Sequence, residues 1–168
     1  MSNPTDWAAL GKQAQKRAEE EASEKVRFAA RALQDNQAKA IFRNKAVAAF
    51  QELRNICERN CGEYNANVSD LVHRVNVSDT TDGFLVSKGN GVVHASFVLD
   101  PLRSKRLTLS RESSMKHRNL HTYHLDVMEV DGKVYFGTVG VDFVISDSVK
   151  LANDACIWVM ETRETAYQ

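Results

Sequence analysis

Between Thr5 and Cys61 the chain has no proline and one glycine, Gly11, and is dominated by Ala, Glu, Gln, Lys and Arg, the residues that cost least in a helix. Apolar positions recur there at helical spacing, but their kind changes along the segment. In 40–57, Phe42, Ala46, Ala49, Phe50, Leu53, Ile56 and Cys57 form a broad stripe suited to packing on a core. In 12–33 the stripe is narrower and mostly of small residues: Ala14, Ala18, Ala22, Val26, Ala30 and Leu33. Such a stripe makes little core by itself and suits a helix–helix contact. Asp35 and Asn36 favour caps and turns over helix interiors. The expected elements are therefore a helix over 5–34 and a second over 37–61, broken or continuous at 35–36, with Gly62 as the C-terminal cap. At ~1.5 Å per residue the first would reach roughly 45 Å.

After Gly62 the period shortens to two. Leu71, Val75 and Val77 alternate with polar residues, as do Val93, Ala95, Phe97 and Leu99, and then Leu107 and Leu109. This is the alternation of an antiparallel sheet with one buried face. Turn signals at 80–83, 88–91 and 100–104 separate the runs. In "EVDGKV", 129–134, Asp-Gly lies between two alternating runs. It calls for a two-residue type I′ hairpin pairing Val130 with Lys133, which sets Val127 beside Phe136 and Leu125 beside Thr138. Ser146 and Asp147 can cap a last helix over 146–163, whose Val149, Ala152, Cys156, Val159 and Met160 share a face. The β-branched run Ile157–Val159 also admits a strand.

The pattern predicts an α+β chain: an antiparallel meander of five or six strands with one face covered by helices (α–β5/6–α), preceded by a long N-terminal helical arm. The expected boundaries are a helical arm over 1–36, serving oligomerisation, and an α+β sheet domain over 37–168.

Composition adds limits. A hydrophobic fraction of 43% supports a real core, and a net charge of zero gives no whole-chain attraction to nucleic acid or membrane. The start carries no apolar leader-like run, and the longest purely apolar run, Ala155–Met160, is too short to span a bilayer. Three cysteines without framework spacing suggest reduced thiols and a cytoplasmic setting. The neutral total conceals one basic block. Residues 103–118 hold six Lys/Arg against one acidic residue, while 61–102 hold two against five and 119–168 three against eight.

Candidate chemistry is sparse. His117, His121 and His124 would share a helical face, but Tyr123, Leu125 and Val127 lead into the hairpin and make this segment a strand. His121 then turns to the core side and His124 to the solvent side with Thr122 and Asp126, so the three do not converge on one ion. His73, alternating with Leu71 and Val75, reads as a core-facing imidazole, and His94 shares the polar face with Ser96. Cys57, Cys61 and Cys156 lie on apolar stripes and read as small buried hydrophobes. No metal, no cofactor and no catalytic residue is expected, and no nucleophile, phosphate-cradle or dinucleotide motif is present.

Three functions fit. The favoured one is a non-enzymatic protein-interaction or ligand-binding module, a homo-oligomer joined through Ala14, Ala18, Ala22 and Val26. Val92, Val98, Met128, Val130, Tyr135 and Val139 supply outward apolar material on the sheet for a further protein partner. The second is nucleic-acid binding through Arg103, Lys105, Arg106, Arg111, Lys116 and Arg118, disfavoured because no aromatic residue interleaves them. The third is a small-molecule enzyme or carrier using the concave side of the sheet.

Overall fold

The computed structural model describes residues 6–89, 91–100, 102–113, 120–138 and 144–163. Helix α1 runs unbroken over Trp7–Asn65, followed by a short 3-10 turn, Leu71–His73, the strands β1 (Val75–Asp79), β2 (Gly83–Lys88), β3 (Val93–Leu99), β4 (Arg106–Glu112), β5 (His121–Val130), β6 (Lys133–Thr138) and β7 (Val144–Ser146), and helix α2 (Ser148–Glu161). The chain divides into two compact units, 1–41 and 42–168, with the division inside α1.

In the first unit every described residue from 6 to 41 is exposed. Asp6 caps the helix, its Oδ1 accepting from the amides of Ala8 and Ala9 at 3.1 Å each. Of the two possibilities at Asp35–Asn36, the continuous helix is the one that forms. Both residues are exposed on a helix of good formers, and their intrinsic cost, under about 0.7 kcal/mol each, does not outweigh the continuing backbone hydrogen bonds. Gly62 is likewise not a cap, since the helix continues to Asn65.

The second unit is α+β. Its seven strands form one antiparallel sheet in the order β1-β2-β3-β4-β5-β6-β7, a meander without crossovers. The count exceeds the five or six expected because β7, three residues long, returns along β6 before α2 begins. The Asp-Gly hairpin forms as its chemistry requires. Asp131 and Gly132 have φ of 51° and 79°, Val130 faces Lys133, and Val127 faces Phe136; the paired ladder ends at Asp126–Gly137, one step before Leu125.

One face of the sheet is buried. In β3, Val93, Ala95, Phe97 and Leu99 turn inward at every second position. Phe97 stacks on Phe84 with centroids 4.7 Å apart, and Phe84 meets Phe50 of α1 at 5.3 Å. Ala46, Ala49, Leu53, Ile56, Cys57 and Cys61 of α1 and Leu151, Ala152, Ala155, Cys156 and Val159 of α2 complete the core. The last helix forms over Ser148–Glu161, with Asp147 as N-cap accepting from Lys150 N at 2.8 Å; of the face read for it, Ala152, Cys156 and Val159 are buried, whereas Val149 is exposed and Leu151 and Ala155 turn inward instead. The two helices are tied by Ser148 Oγ, which donates to the Ala49 carbonyl at 3.1 Å, and by an Asn60–Asn153 side-chain bond of 2.8 Å.

His73 does not face the core. Asp70 accepts from Val72 N at 3.0 Å and turns Leu71–His73 into a 3-10 turn, leaving Leu71, Val72 and His73 exposed, with His73 Nδ1 3.1 Å from Asp70 Oδ2. The strand starts only at Val75. There the Asn65 side chain acts as a substitute strand, accepting from Val75 N at 2.9 Å and donating to Val75 O at 2.7 Å.

Candidate interaction surfaces

Ala14, Ala18, Ala22 and Val26 form a row along α1 at four-residue spacing, all exposed. Leu10 and Phe28, about five helical turns apart, occupy a neighbouring strip. Trp7, Leu10, Val26, Phe28, Leu33 and Ile41 are all large hydrophobics in water, Trp7 and Phe28 each 77% exposed. Polar pairs such as Lys16–Glu20 (3.9 Å) and Gln15–Glu19 (3.1 Å) hold the helix locally, each worth a few tenths of a kcal/mol. They bury none of this apolar surface.

On the outward face of the sheet, cross-strand rows follow from the register. Ser96 faces Ser110, which faces Thr122 with hydroxyls 3.2 Å apart; Val98 faces Thr108, whose Oγ1 lies 3.3 Å from His124 Nδ1. His94 Nε2 is 3.4 Å from Glu112 Oε2. Met128 faces Tyr135 directly, and Val130 faces Lys133. Val98 stands two strands from Met128, across Thr108 and His124. Val92 sits in the turn before β3, and Val139 lies outside the described residues. The structure thus brings Met128 and Tyr135 together and sets Val98 apart from them.

His121 and His124 turn to opposite faces of β5, since His121 opposes inward Arg111 and His124 opposes outward Thr108. His117 lies outside the described residues. Among the described residues no group of three His, Cys, Asp or Glu side chains is placed to hold a metal ion.

The basic segment divides. Arg103, Lys105 and Arg106 surround a shallow outward depression together with Asp100 and Asp126, so carboxylates interleave the cations. Lys116 and Arg118 lie outside the described residues. Arg111 belongs to the other face. It follows Leu107 and Leu109 inward, and its guanidinium carbon sits 5.6 Å from the Tyr123 ring centre and 5.5 Å from that of Trp158. The same alternation that marks Leu107 and Leu109 would have shown this; reading the segment as a block of charge hid it.

Two further constellations escaped the sequence. Inward charges at the rim of the sheet meet the helices. Arg54 of α1 grips Asp79 at 2.7 and 3.3 Å, Lys45 pairs with Glu129, and Lys88 Nζ donates to the carbonyls of Met160 and Thr162 at 2.8 and 3.3 Å, closing the C-terminal end of α2. The Arg54 contact, as hydrogen bond and then as charge, holds the Asp79 carboxyl below its usual range. The three cysteines also converge. Cys156 hydrogen-bonds with both Cys57 and Cys61 in the α1–α2 seam, all three buried. Hydrogen bonding to Cys156 and burial push Cys57 and Cys61 up, while hydrogen bonding from both holds Cys156 down. Each thiol was legible as buried, but their meeting needed the packing of α1 on α2.

The chain matches no family model, no curated protein and no solved structure. No helix of the described residues is long and apolar enough to cross a membrane.

Proposed function

We propose that this protein is a non-enzymatic interaction module that self-associates through its N-terminal helix. One observation carries the reading: every described residue of 6–41 is exposed, including six large hydrophobics, on a helix that has no partner element within its own unit. A solitary helix draws its stability from tertiary contact more than from propensity. A second copy offers the same apolar band, and the small side chains of Ala14, Ala18 and Ala22 permit close approach of two helices. The Met128–Tyr135 pair on the outward sheet face is the secondary surface, for a different protein.

Nucleic-acid binding ranks behind this reading, because Arg111 is turned inward and Asp100 and Asp126 interleave Arg103, Lys105 and Arg106. The full-length chain is expected to sediment as a dimer or larger at micromolar concentration, and Ala18→Glu with Val26→Glu is expected to give monomers with unchanged sheet signal. A strictly monomeric parent at high micromolar concentration would refute self-association.

A further inference from the structure

The charges of the exposed arm are ordered in blocks. Residues 7–18 carry Lys12, Lys16 and Arg17 and no carboxylate; residues 19–24 carry Glu19, Glu20, Glu21 and Glu24 and no cation. The two blocks meet at Ala18. Ala18 is also the middle of the apolar row, with Ala14 and Ala22 about one turn to either side and Leu10 and Val26 about one turn further. Two copies that meet on this row can run in either direction. Running the same way, each block faces its own like, and exposed charges of one sign within a Debye length of ~8 Å repel. Running opposite ways about Ala18, the basic block of each copy faces the acidic block of the other. Ala14 then lies level with Ala22 of the second copy, and Leu10 with Val26. The second basic group, Lys25, Arg27 and Arg31, falls toward the start of the other helix, where residues 6–11 carry one charge, the carboxylate of Asp6.

We propose that the arm binds a second copy of itself antiparallel, about a two-fold axis at Ala18. This rests on the reading of the arm as a self-associating element and adds its direction and register. The flank of the row agrees with the charge blocks. At 3.6 residues per turn Leu10, Arg17, Glu21 and Phe28 all fall to one side of Ala18. The two-fold axis sets that side of one helix against the same side of the other. Leu10 therefore meets Phe28 of the second copy, and Arg17 meets Glu21, each with an offset of about 3 Å along the helix. Each contact occurs twice. Phe28, 77% exposed, and Leu10, 48% exposed, both gain apolar cover. At the centre the three alanines carry no atom beyond Cβ, so the axes can approach toward the short end of the usual ~8–10 Å. The exposed ion pairs add little affinity; like charges brought together in the parallel arrangement are what select the direction.

The test uses the full-length chain. Equal amounts of Ala14→Cys and Ala22→Cys protein are mixed in a glutathione redox buffer, and disulfide-linked peptides are identified by mass spectrometry after digestion. In the antiparallel pair position 14 of one copy reaches position 22 of the other, whereas two residues at position 14 stand roughly 12 Å apart along the helix, beyond the ~7 Å that a disulfide spans between Cα atoms. The expected result is a mixed 14–22 link in about tenfold or greater excess over the 14–14 and 22–22 links. The unmodified chain supplies a second measurement. Its dimer dissociation constant, from sedimentation, is expected to rise about threefold or more between about 0.05 and about 0.5 M sodium chloride, as screening weakens the facing blocks. A dimer linked 14–14 and 22–22, or one that salt tightens, overturns the antiparallel pairing and leaves self-association standing. A dimer with none of these links, mixed or like, overturns pairing on this row. A parent chain that stays monomeric overturns self-association itself, which separates the two failures.

Discussion

Removing the ring of Phe97 is the sharpest probe of how the sheet meets its helices. Phe97 has no exposed surface, faces Phe84 on β2 and Leu109 on β4, and stacks on Phe84 with planes 16° apart. Phe84 in turn carries the contact to Phe50 of α1, so the three rings form a continuous column from helix to strand. Phe97→Ala opens a cavity whose walls are backbone-anchored on three neighbouring strands and cannot collapse to fill it. The expected cost is about 4 kcal/mol, of which the ring–ring contact contributes about 1 kcal/mol. Against a total stability of about 5–15 kcal/mol this is a large fraction, and it corresponds to a fall in Tm of roughly 15 °C. Urea unfolding of the full chain followed by circular dichroism measures it, and a double-mutant cycle of Phe84→Leu and Phe97→Leu isolates the ring–ring share. A loss below about 1.5 kcal/mol with an unchanged urea slope would show that the column does not hold the core.

Gly83→Ala should destabilise by about 2–3 kcal/mol by the same assay, because a Cβ there would lie 1.9 Å from the Phe97 carbonyl oxygen and the β2–β3 backbones must separate; an unchanged midpoint would contradict the close approach. Asp79→Asn should flatten the acid limb of the stability profile. The folded-state carboxyl is held low by Arg54, so its contribution is present above the unfolded value near pH ~4 and is lost as pH falls through the folded one. Identical acid unfolding of the variant and the parent would show that the pair is inert.

The parts of the fold legible in sequence are those governed by neighbours along the chain. Asp131–Gly132 needs left-handed φ at both residues, and few other structures use that pair so well; Asp147 caps α2 because its side chain reaches an amide three residues on. What the sequence did not show has several causes. Asp70 produces a local turn that overrides the alternation of Leu71 and His73, because one side-chain acceptor redirects the backbone before a ladder can form. The unbroken passage of α1 through Asp35 and Asn36 turns on a cost smaller than the cooperativity of the surrounding helix. Arg54–Asp79, Lys88 with the end of α2, and the three thiols join residues 25 to about 100 positions apart, which periodicity cannot relate. Arg111 stands between the two classes: its inward direction was readable from Leu107 and Leu109, its rings were not.

The meander has a consequence for how the chain comes to be folded. Each strand pairs with the next one made, so the sheet can grow by successive hairpins, with short loops to close and no strand waiting for a distant partner. The cover is different. Helix α1 precedes every strand and α2 follows every strand, yet the two meet in one seam at Cys57, Cys61 and Cys156. During synthesis the inner face of a nearly complete sheet therefore has only half its cover until α2 leaves the ribosome. That interval, with Phe97 and Val93 in place but Val159 absent, is when the chain is most exposed to wrong association. Slowing elongation after β7 should lengthen it, and chaperone dependence should rise accordingly.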